Sequence, residues 1–490
     1  MFGEIKMNQS LFKLVENLIE PKASFKNINI SGIKTDSNKI LPGDLFIAIP
    51  GMKYDGHDFV KQAISNGASA VITGGRDLDI DPIPQIKVAN PRKAVSIVSS
   101  KLYNSPSKDI IVIGITGTNG KTTTAYLIAN TLKKAGYKTA QVGTTGIIAE
   151  GFDQKKTLTT PDAINLQELF FDFKKSGFTH VVMEVSSHAL DQYRVADISF
   201  NFAVFTNLTP EHLDYHPSME AYYQAKSRLF RMLTINDVAI INSSDLNGKR
   251  IAKETVATIL FFSRDNGDTI HFSKSDSTLE GIKGTIKAGD LSYNINSNFI
   301  GDFNKENILA SVSVLHAIGI GNAAITDGIN SCTSVPGRLE IFKLPNGAIA
   351  VIDYAHTPDA YEKVLGTLRE LTNKDNKIYA IFGAGGERDR NKRSQMAKIA
   401  EIFCDKCFIT PDNPRNEDLS KINKDIVSGF TKNCYEIFND RAEALNKALK
   451  LAMKNDLVVI LGKGREEYQE IKGEKLFYSD YKIIKKLQCD

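Results

Sequence analysis

The sequence predicts an α/β protein built largely on parallel sheet. Three observations carry this. From Ile110 onward, short apolar runs of strand length alternate with helical patterns. One run, Ile110–Ile115, passes through a glycine turn, Thr116-Gly117-Thr118-Asn119-Gly120-Lys121, into a helix pattern. No run approaches the roughly 18 apolar residues of a membrane span, so these runs suit buried strands.

The elements follow in chain order. In the first hundred residues strands are short and turn signals close together: Asp36-Ser37-Asn38, Leu41-Pro42-Gly43-Asp44, Asp55-Gly56. This reads as a small mixed α/β domain ending near Ser105-Pro106-Ser107. Strands are expected at Ile110–Ile115, His180–Val185, Asn201–Thr206, Asp237–Asn242, Ile378–Phe382 and Leu457–Leu461. A helix is expected over Thr122–Ala135, stopped by Gly136. Residues 265–297, rich in Gly, Ser and Asp, suggest exposed antiparallel strands. A second boundary falls near Val335-Pro336-Gly337. The expected domains are 1–107, 108–335 and 336–490, and no internal repeat interrupts them.

Composition sets further bounds. The 490 residues are 42% hydrophobic and 24% charged, as in globular proteins. Lys+Arg 61 against Asp+Glu 57 leaves a net charge of +4, too little basic excess for a protein built around a nucleic-acid duplex. Five cysteines in so long a chain make no disulfide framework, so a reducing cytoplasm is expected. The N-terminus lacks a signal-peptide core, and Met1 or Met7 could start the chain.

The glycine turn suits a polyphosphate. Gly117 and Gly120 let backbone N–H groups turn inward, Lys121 supplies a point charge, and the Thr122 hydroxyl can ligate Mg²⁺. The strict G-x-x-x-x-G-K-[ST] pattern is not met, because Ile115 holds its first glycine position. The alternative is a plain strand-to-helix turn. ATP is expected over GTP, because no N-K-x-D motif follows.

Glu184, in Met183-Glu184-Val185-Ser186-Ser187-His188, ends a strand run, where a carboxylate of a parallel sheet faces the ligand crevice. It is a candidate Mg²⁺ ligand or a solvated strand end. His212, in Thr209-Pro210-Glu211-His212, follows another strand. It could bind metal or be a surface histidine. Met219, Tyr222, Tyr223, Lys226, Leu229 and Phe230 share one helix face, so Lys226 falls within an apolar stripe. Burial lowers a lysine pKa, and a neutral amine can take up CO₂ as a carbamate. A lysine snorkelling at the stripe's edge is the other reading.

Gly114 through Thr123 resembles the ATP loop of the Mur ligases. Further matches run along nearly the whole chain: Thr159-Thr160-Pro161, Met183–Gln192, Asn207–Pro217, Lys226, Gly301–Asn307, Pro336–Glu340, Asp353–Pro358 and Gly462-Lys463-Gly464. Within that family the resemblance is to the branch that forms the tripeptide. Asp36-Ser37 and Pro42–Phe46 also match it.

The resemblance implies three domains. A small mixed α/β domain binds a UDP-sugar, a central P-loop domain of mostly parallel sheet binds ATP, and a Rossmann-like domain binds an amino acid. It implies ATP-dependent addition of meso-diaminopimelate to UDP-N-acetylmuramoyl-L-alanyl-D-glutamate, in cytoplasmic peptidoglycan precursor synthesis, by a monomer. Thr122, Glu184, His212 and carbamylated Lys226 would hold Mg²⁺. Gly117, Thr118, Asn119, Gly120, Lys121, Thr122, Thr123, Asn304, Asn307, Arg338 and Asp353 would contact ATP. Ser37, Thr159, Thr160, Ser186, Gln192 and Arg194 would contact the UDP-sugar-dipeptide. Arg388, Asp412, Asn413, Pro414, Arg415, Gly462 and Glu466 would contact diaminopimelate. Asn38 stands where the family usually has Arg, and Arg465-Glu466 where it usually has His-Glu.

The residues suit the implied chemistry. A carboxylate becomes a good acyl donor once phosphorylated, and phosphoryl transfer needs cations on the moving oxygens, as Lys121 and Mg²⁺ would supply. No residue stands out as the base for the amine. The planar fork of Arg415 suits the extra carboxylate that separates diaminopimelate from lysine. Glu466 would take the far ammonium.

Other signals carry less. Cys404-Asp405-Lys406-Cys407 lacks a second ligand pair for zinc, since Cys434 and Cys489 do not offer one. No G-x-S-x-G surrounds Ser186-Ser187-His188. The Arg388, Arg390, Lys392, Arg393 cluster is interrupted by Glu387 and Asp389. Rival readings are an L-lysine-adding ligase, a folylpolyglutamate synthase-like ligase, and an inactive scaffold.

Overall fold

The computed structural model describes residues 7–51, 54–154, 158–264, 267 and 269–489, without the side chain of Cys489. Met1, and most of the segment read for a leader, lie outside the described residues.

Three parallel or mostly parallel sheets follow one another along the chain. The first has four strands among the described residues, all parallel: Gly32–Lys34, Asp44–Ile47, Ala70–Thr73 and Gln85–Lys87. The helix Pro91–Leu102 closes one side, started by Asn90, whose side chain accepts from Lys93 N–H at 3.1 Å. The predicted turn at Asp36 is a 3₁₀ turn capped by that aspartate, whose carboxylate accepts from Asn38 N–H.

The central sheet has ten strands among the described residues. Its middle runs Phe202–Phe205, Ile111–Thr116, His180–Glu184, Thr139–Gly143, each parallel to its neighbour. Glu184 pairs with Ile115, and Phe205 with Thr116, so three strands end at one level. The loops leaving those ends therefore meet. Residue alternation splits the core into two layers. Ile113, Ile115, Val182 and Val204 face the helices Lys121–Lys134 and Asp302–Ile318. Val112, Met183, Ala203 and Phe205 face Ala163–Lys175 and Met219–Arg231. The region read as antiparallel forms Ile270–Thr278, Gly281–Ala288 and Leu291–Ser297, which extend one edge of this sheet.

The last sheet is ordered Glu340–Lys343, Ile349–Asp353, Leu457–Leu461, Ile378–Phe382, Lys406–Ile409, Tyr435–Ile437, antiparallel only at its first pair. A hairpin, Tyr468–Ile471 with Glu474–Phe477, lies beside it. Small shifts separate prediction from structure. The strand expected at Ile110–Ile115 is Ile111–Thr116, and the helix after it begins at Lys121. The ladder extends to Thr116 because that residue still pairs with Phe205.

Candidate active site

A cleft of about 800 Å³ opens where the central strands end, and residues of the last sheet's loops form its other wall. Its floor is the glycine turn. Gly120 has φ +88°, and a Cβ there would collide with the Asn307 carboxamide, so the position suits glycine alone. The turn is braced from the neighbouring strand end: Thr206 Oγ1 donates to Asn119 O at 2.7 Å, and Asn119 N–H to Asn207 Oδ1 at 2.9 Å.

Two lysines converge on this turn. Lys121 Nζ donates to Gly117 O at 2.9 Å and to Thr118 O at 2.7 Å. Lys226 Nζ donates to the same Gly117 O at 2.7 Å and lies 4.5 Å from the Tyr222 ring centroid. Lys226 is buried, as the stripe predicted, and snorkelling is excluded. Burial, then the charge of Lys121, depresses its amine well below the ordinary lysine value, although Glu211 opposes this.

Glu184 is fully buried at its strand end, not solvated. Its carboxylate accepts from Thr122 Oγ1 at 3.0 Å, Thr144 N–H at 2.8 Å and Thr144 Oγ1 at 3.1 Å. Its carbonyl accepts from Thr160 Oγ1 at 2.9 Å. His212 has φ +57°, in the left-handed region that non-glycine residues rarely adopt. Its ring stands edge-on to His188, with centroids 4.8 Å apart. Burial, with His212, His216 and Arg194, pushes His188 down to about 4.

Sequence reasoning passed over Glu211. Burial alone would raise its carboxyl, but Lys121, His212, His356 and Lys226 outweigh that and hold it below its usual range. The signal was an acid directly before His212, read there only for the histidine.

The expected groupings are largely brought together. Thr118, Asn119, Gly120, Lys121, Thr122, Thr123, Asn304, Asn307, Arg338 and Asp353 line the cleft, and Gly117 lies in the same turn. Asn307 Nδ2 donates to Asn304 Oδ1 at 2.8 Å, and Asn304 Nδ2 to Ile300 O at 2.8 Å. Arg338 stacks over Tyr354 at 4.8 Å. Burial raises the Asp353 carboxyl, against Arg338 and the N–H groups of Leu339 and Ala355, each donating at 2.7 Å.

Thr159, Thr160, Ser186 and Arg194 also line the cleft. Gln192 reaches it through Arg194, whose Nη2 donates to Gln192 Oε1 at 2.7 Å and whose Nη1 donates to Thr160 O at 2.9 Å. Ser37 stands apart in the first domain, where its hydroxyl donates to Gln62 Oε1 at 2.9 Å.

The residues expected at the amino acid form a second cluster behind Arg388, which itself lines the cleft. Asn413 Nδ2 donates to Glu466 Oε2 at 3.1 Å. Gly462 has φ +102°, and a Cβ there would strike the Asp412 carboxylate. Arg415, at φ +53°, follows Pro414; its N–H donates to Glu470 O at 2.9 Å, and its carbonyl accepts from Lys472 N–H at 2.8 Å. Its guanidinium donates to Gly386 O at 2.6 Å, and its Nε lies 3.3 Å from Glu470 Oε2. Arg415 thus has protein partners that the sequence reading did not foresee. So does Glu466, which pairs with Lys463 at 3.0 Å. Arg393, read as part of a basic cluster, is fully buried and holds Glu417 at 2.7 Å and Asp425 at 2.9 Å.

Cys404 ends a helix and Cys407 lies in the next strand, the expected junction. Among the described residues no group of three or more His, Cys, Asp or Glu side chains is arranged to hold a metal by itself. No helix among them is long and apolar enough to cross a membrane.

Comparison with known proteins gives a consistent result. The model of the Mur ligase middle domain matches residues 115–315. That of the Mur ligase glutamate ligase domain matches 337–464, and that of the Mur ligase family catalytic domain 29–103. The chain is 40% identical over 471 residues, 95% of each chain, to UDP-N-acetylmuramoyl-L-alanyl-D-glutamate–2,6-diaminopimelate ligase of Aquifex aeolicus (strain VF5). It is 40% identical over 484 residues, 97% of this chain and 98% of the relative, to the protein of that name from Syntrophomonas wolfei subsp. wolfei. A solved structure of a ligase of the same name is 31% identical, with a TM-score of 0.72 over 99% of both chains. Folylpolyglutamate synthase of Mycobacterium tuberculosis complexed with ADP is 18% identical and shares the fold, with a TM-score of 0.64 over 76% of this chain and 92% of that one.

Proposed function

Because the chain belongs to the Mur ligase family, we propose a residue-by-residue account of how its cleft works. The protein is an ATP-dependent ligase that adds diaminopimelate to UDP-N-acetylmuramoyl-L-alanyl-D-glutamate in peptidoglycan precursor synthesis. The domains are 1–107 for the UDP part, 108–335 for ATP and 336–490 for the amino acid. The enzyme works as a cytoplasmic monomer on the meso isomer.

The observation that carries this account is the convergence of half-buried Lys121 and buried Lys226 on Gly117 O, in a cleft also lined by buried Glu184. ATP lies along Gly117–Thr123, with its base toward Asn304 and Asn307 and its far side closed by Arg338 and Asp353. The substrate carboxylate attacks the γ-phosphorus in line and ADP leaves, giving an acyl phosphate. Lys121 stabilises charge on the moving oxygens. The amine of diaminopimelate then attacks the acyl carbon, phosphate departs, and one proton is lost.

Thr159, Thr160, Ser186, Gln192 and Arg194 hold the dipeptide beside the phosphates, while Ser37 serves the uridine end. Arg388, Asp412, Asn413, Pro414, Arg415, Gly462 and Glu466 hold the diaminopimelate. The interdomain cleft excludes water, which would otherwise hydrolyse the acyl phosphate.

The donor set suits magnesium. Thr122 and Glu184 offer hard oxygens 3.0 Å apart at the foot of the phosphate turn. His212 and Lys226 line the same cleft. With its depressed amine, Lys226 adds CO₂ through the neutral form and loses one proton, giving a carbamate that is an anionic oxygen donor. When bound, magnesium supplies positive charge for the phosphoryl oxygens.

The test is phosphate release from ATP and Mg²⁺ with UDP-N-acetylmuramoyl-L-alanyl-D-glutamate, comparing meso-diaminopimelate, L-lysine and no amino acid. Stimulation by meso-diaminopimelate alone, with the tripeptide product mass, is expected. Equal turnover with lysine would remove the role given to Arg415. No release from folded protein would remove the whole reading.

A further inference from the structure

The amino-acid cluster contains a charged side chain that the chemistry above does not use. Lys463, just past the strand Leu457–Leu461, has none of its surface exposed. Burying an ammonium is costly unless it is well paired. Its Nζ donates to Asn413 Oδ1 at 3.1 Å and to Glu466 Oε2 at 3.0 Å, and lies 4.0 Å from Asp412 Oδ1. All three partners belong to the set assigned to diaminopimelate.

The orienting effect is specific. Asn413 Oδ1 accepts from two donors, Lys463 Nζ and, at 2.9 Å, Glu470 N–H. Two donors on one oxygen fix which way round the carboxamide sits. Nδ2 must then face Glu466, and it donates to Oε2 at 3.1 Å. That Glu466 oxygen therefore accepts from both Asn413 and Lys463, and these two bonds leave Oε1 unused. Remove the ammonium, and Asn413 loses the donor that helps set its orientation. Glu466 also loses the cation that anchors it.

We propose that Lys463 is a positioning residue for the amino-acid substrate, whose ammonium sets the orientation of Asn413 and Glu466 and through them the fit of the substrate's far end. The inference rests on the reading of this cluster as the amino-acid site. Lys463 touches no reacting atom in that reading. Its loss acts on amino-acid affinity and leaves the phosphate turn alone.

The test uses the full-length enzyme and steady-state phosphate release, with Lys463→Met, Lys463→Arg, Glu466→Gln and the Lys463→Met/Glu466→Gln double variant. Lys463→Met is expected to raise KM for meso-diaminopimelate about tenfold or more, with KM for ATP within about twofold. Lys463→Arg keeps the charge and is expected to recover most of that loss. The double variant is expected to be no worse than its worse parent, because both changes break one network. An unchanged KM for the amino acid, a parallel rise in both KM values, or additive effects in the double variant would each overturn the inference. Lys463→Gln is a second neutral variant should the methionine variant not fold; failure of both to fold would assign Lys463 to general stability and overturn it too. If the wild-type enzyme itself shows no release dependent on meso-diaminopimelate, the amino-acid reading fails, whatever the variants do.

Discussion

Asp359 reaches across the cleft to the phosphate turn: its Oδ2 accepts from Asn119 Nδ2 at 2.8 Å. The same oxygen accepts from Thr209 Oγ1 at 3.2 Å and pairs with Lys363 at 3.0 Å. Asp359 lies in the first turn of the helix Pro358–Leu371, in the domain to which we assign the amino acid. The contact ties that domain to the turn we assign to ATP. Asp359→Ala is expected to lower kcat about tenfold, the worth of one charge-assisted hydrogen bond. ATP affinity by equilibrium dialysis should stay nearly constant, because the turn keeps its braces from Thr206 and Asn207. A loss confined to ATP affinity would refute the tie between domains.

Lys226 should carry a carbamate. Burial holds this amine well below the ordinary lysine value, which favours its neutral form, and only the neutral form adds CO₂. Enzyme equilibrated with ¹³C-bicarbonate is expected to show a carbamate resonance that Lys226→Ala lacks. The resonance should fade on acidification, as the amine protonates. The linkage has a matching sign. Between the depressed folded value and the unfolded value of 10.5, the unfolded chain binds more protons, so stability of the unloaded enzyme rises with pH across that window.

Glu417 gives the opposite pH signature. Its hydrogen bonds to Arg393, which outweigh the effect of burial, lower its carboxyl from 4.5 to about 2. A carboxylate with a lowered folded value contributes stability above its unfolded value and loses it as pH falls through the folded one. Urea midpoints should therefore decline between pH 4.5 and 2. Glu417→Gln is expected to flatten that decline, and an unchanged slope would show that other carboxylates govern it.

Arg441 and Asp480 form a fully buried pair, with Nη2 to Oδ2 at 2.9 Å. Arg441 also donates to Leu461 O at 2.9 Å, the residue before Gly462. Removing one partner strands the other charge. Asp480→Asn is expected to cost about 3–5 kcal/mol in urea unfolding. A cost below about 1 kcal/mol would mean that water reaches the site.

What the sequence made legible was chemistry written over short stretches. Lys121 and Thr122 lie in one turn, and Glu184 ends one apolar run, so strand, loop and carboxylate could be read together. Lys226 announced itself by breaking a helical stripe. Glu211 and Lys463 lie in stretches whose local pattern said nothing of their own partners, and Asp359 lies just past one. Each acquires its role from groups brought in from elsewhere in the chain: Lys121 and His356 around Glu211, Asn413 beside Lys463, Asn119 against Asp359. Arg415 was half legible. Its fork suited a carboxylate, but its bond to Gly386 O depends on a loop that only the folded third domain places beside it.

Glu184 has a consequence for inhibitor chemistry. Its carboxylate accepts from Thr122 of the phosphate turn, while its carbonyl holds Thr160, on the side we assign to the dipeptide. In that assignment one residue forms the wall shared by two ligand subsites. Fragments bound on either side need almost no tether to be joined. A bisubstrate compound built across this residue would gain a high effective concentration from a very short linker, whereas a long flexible one would dilute that gain.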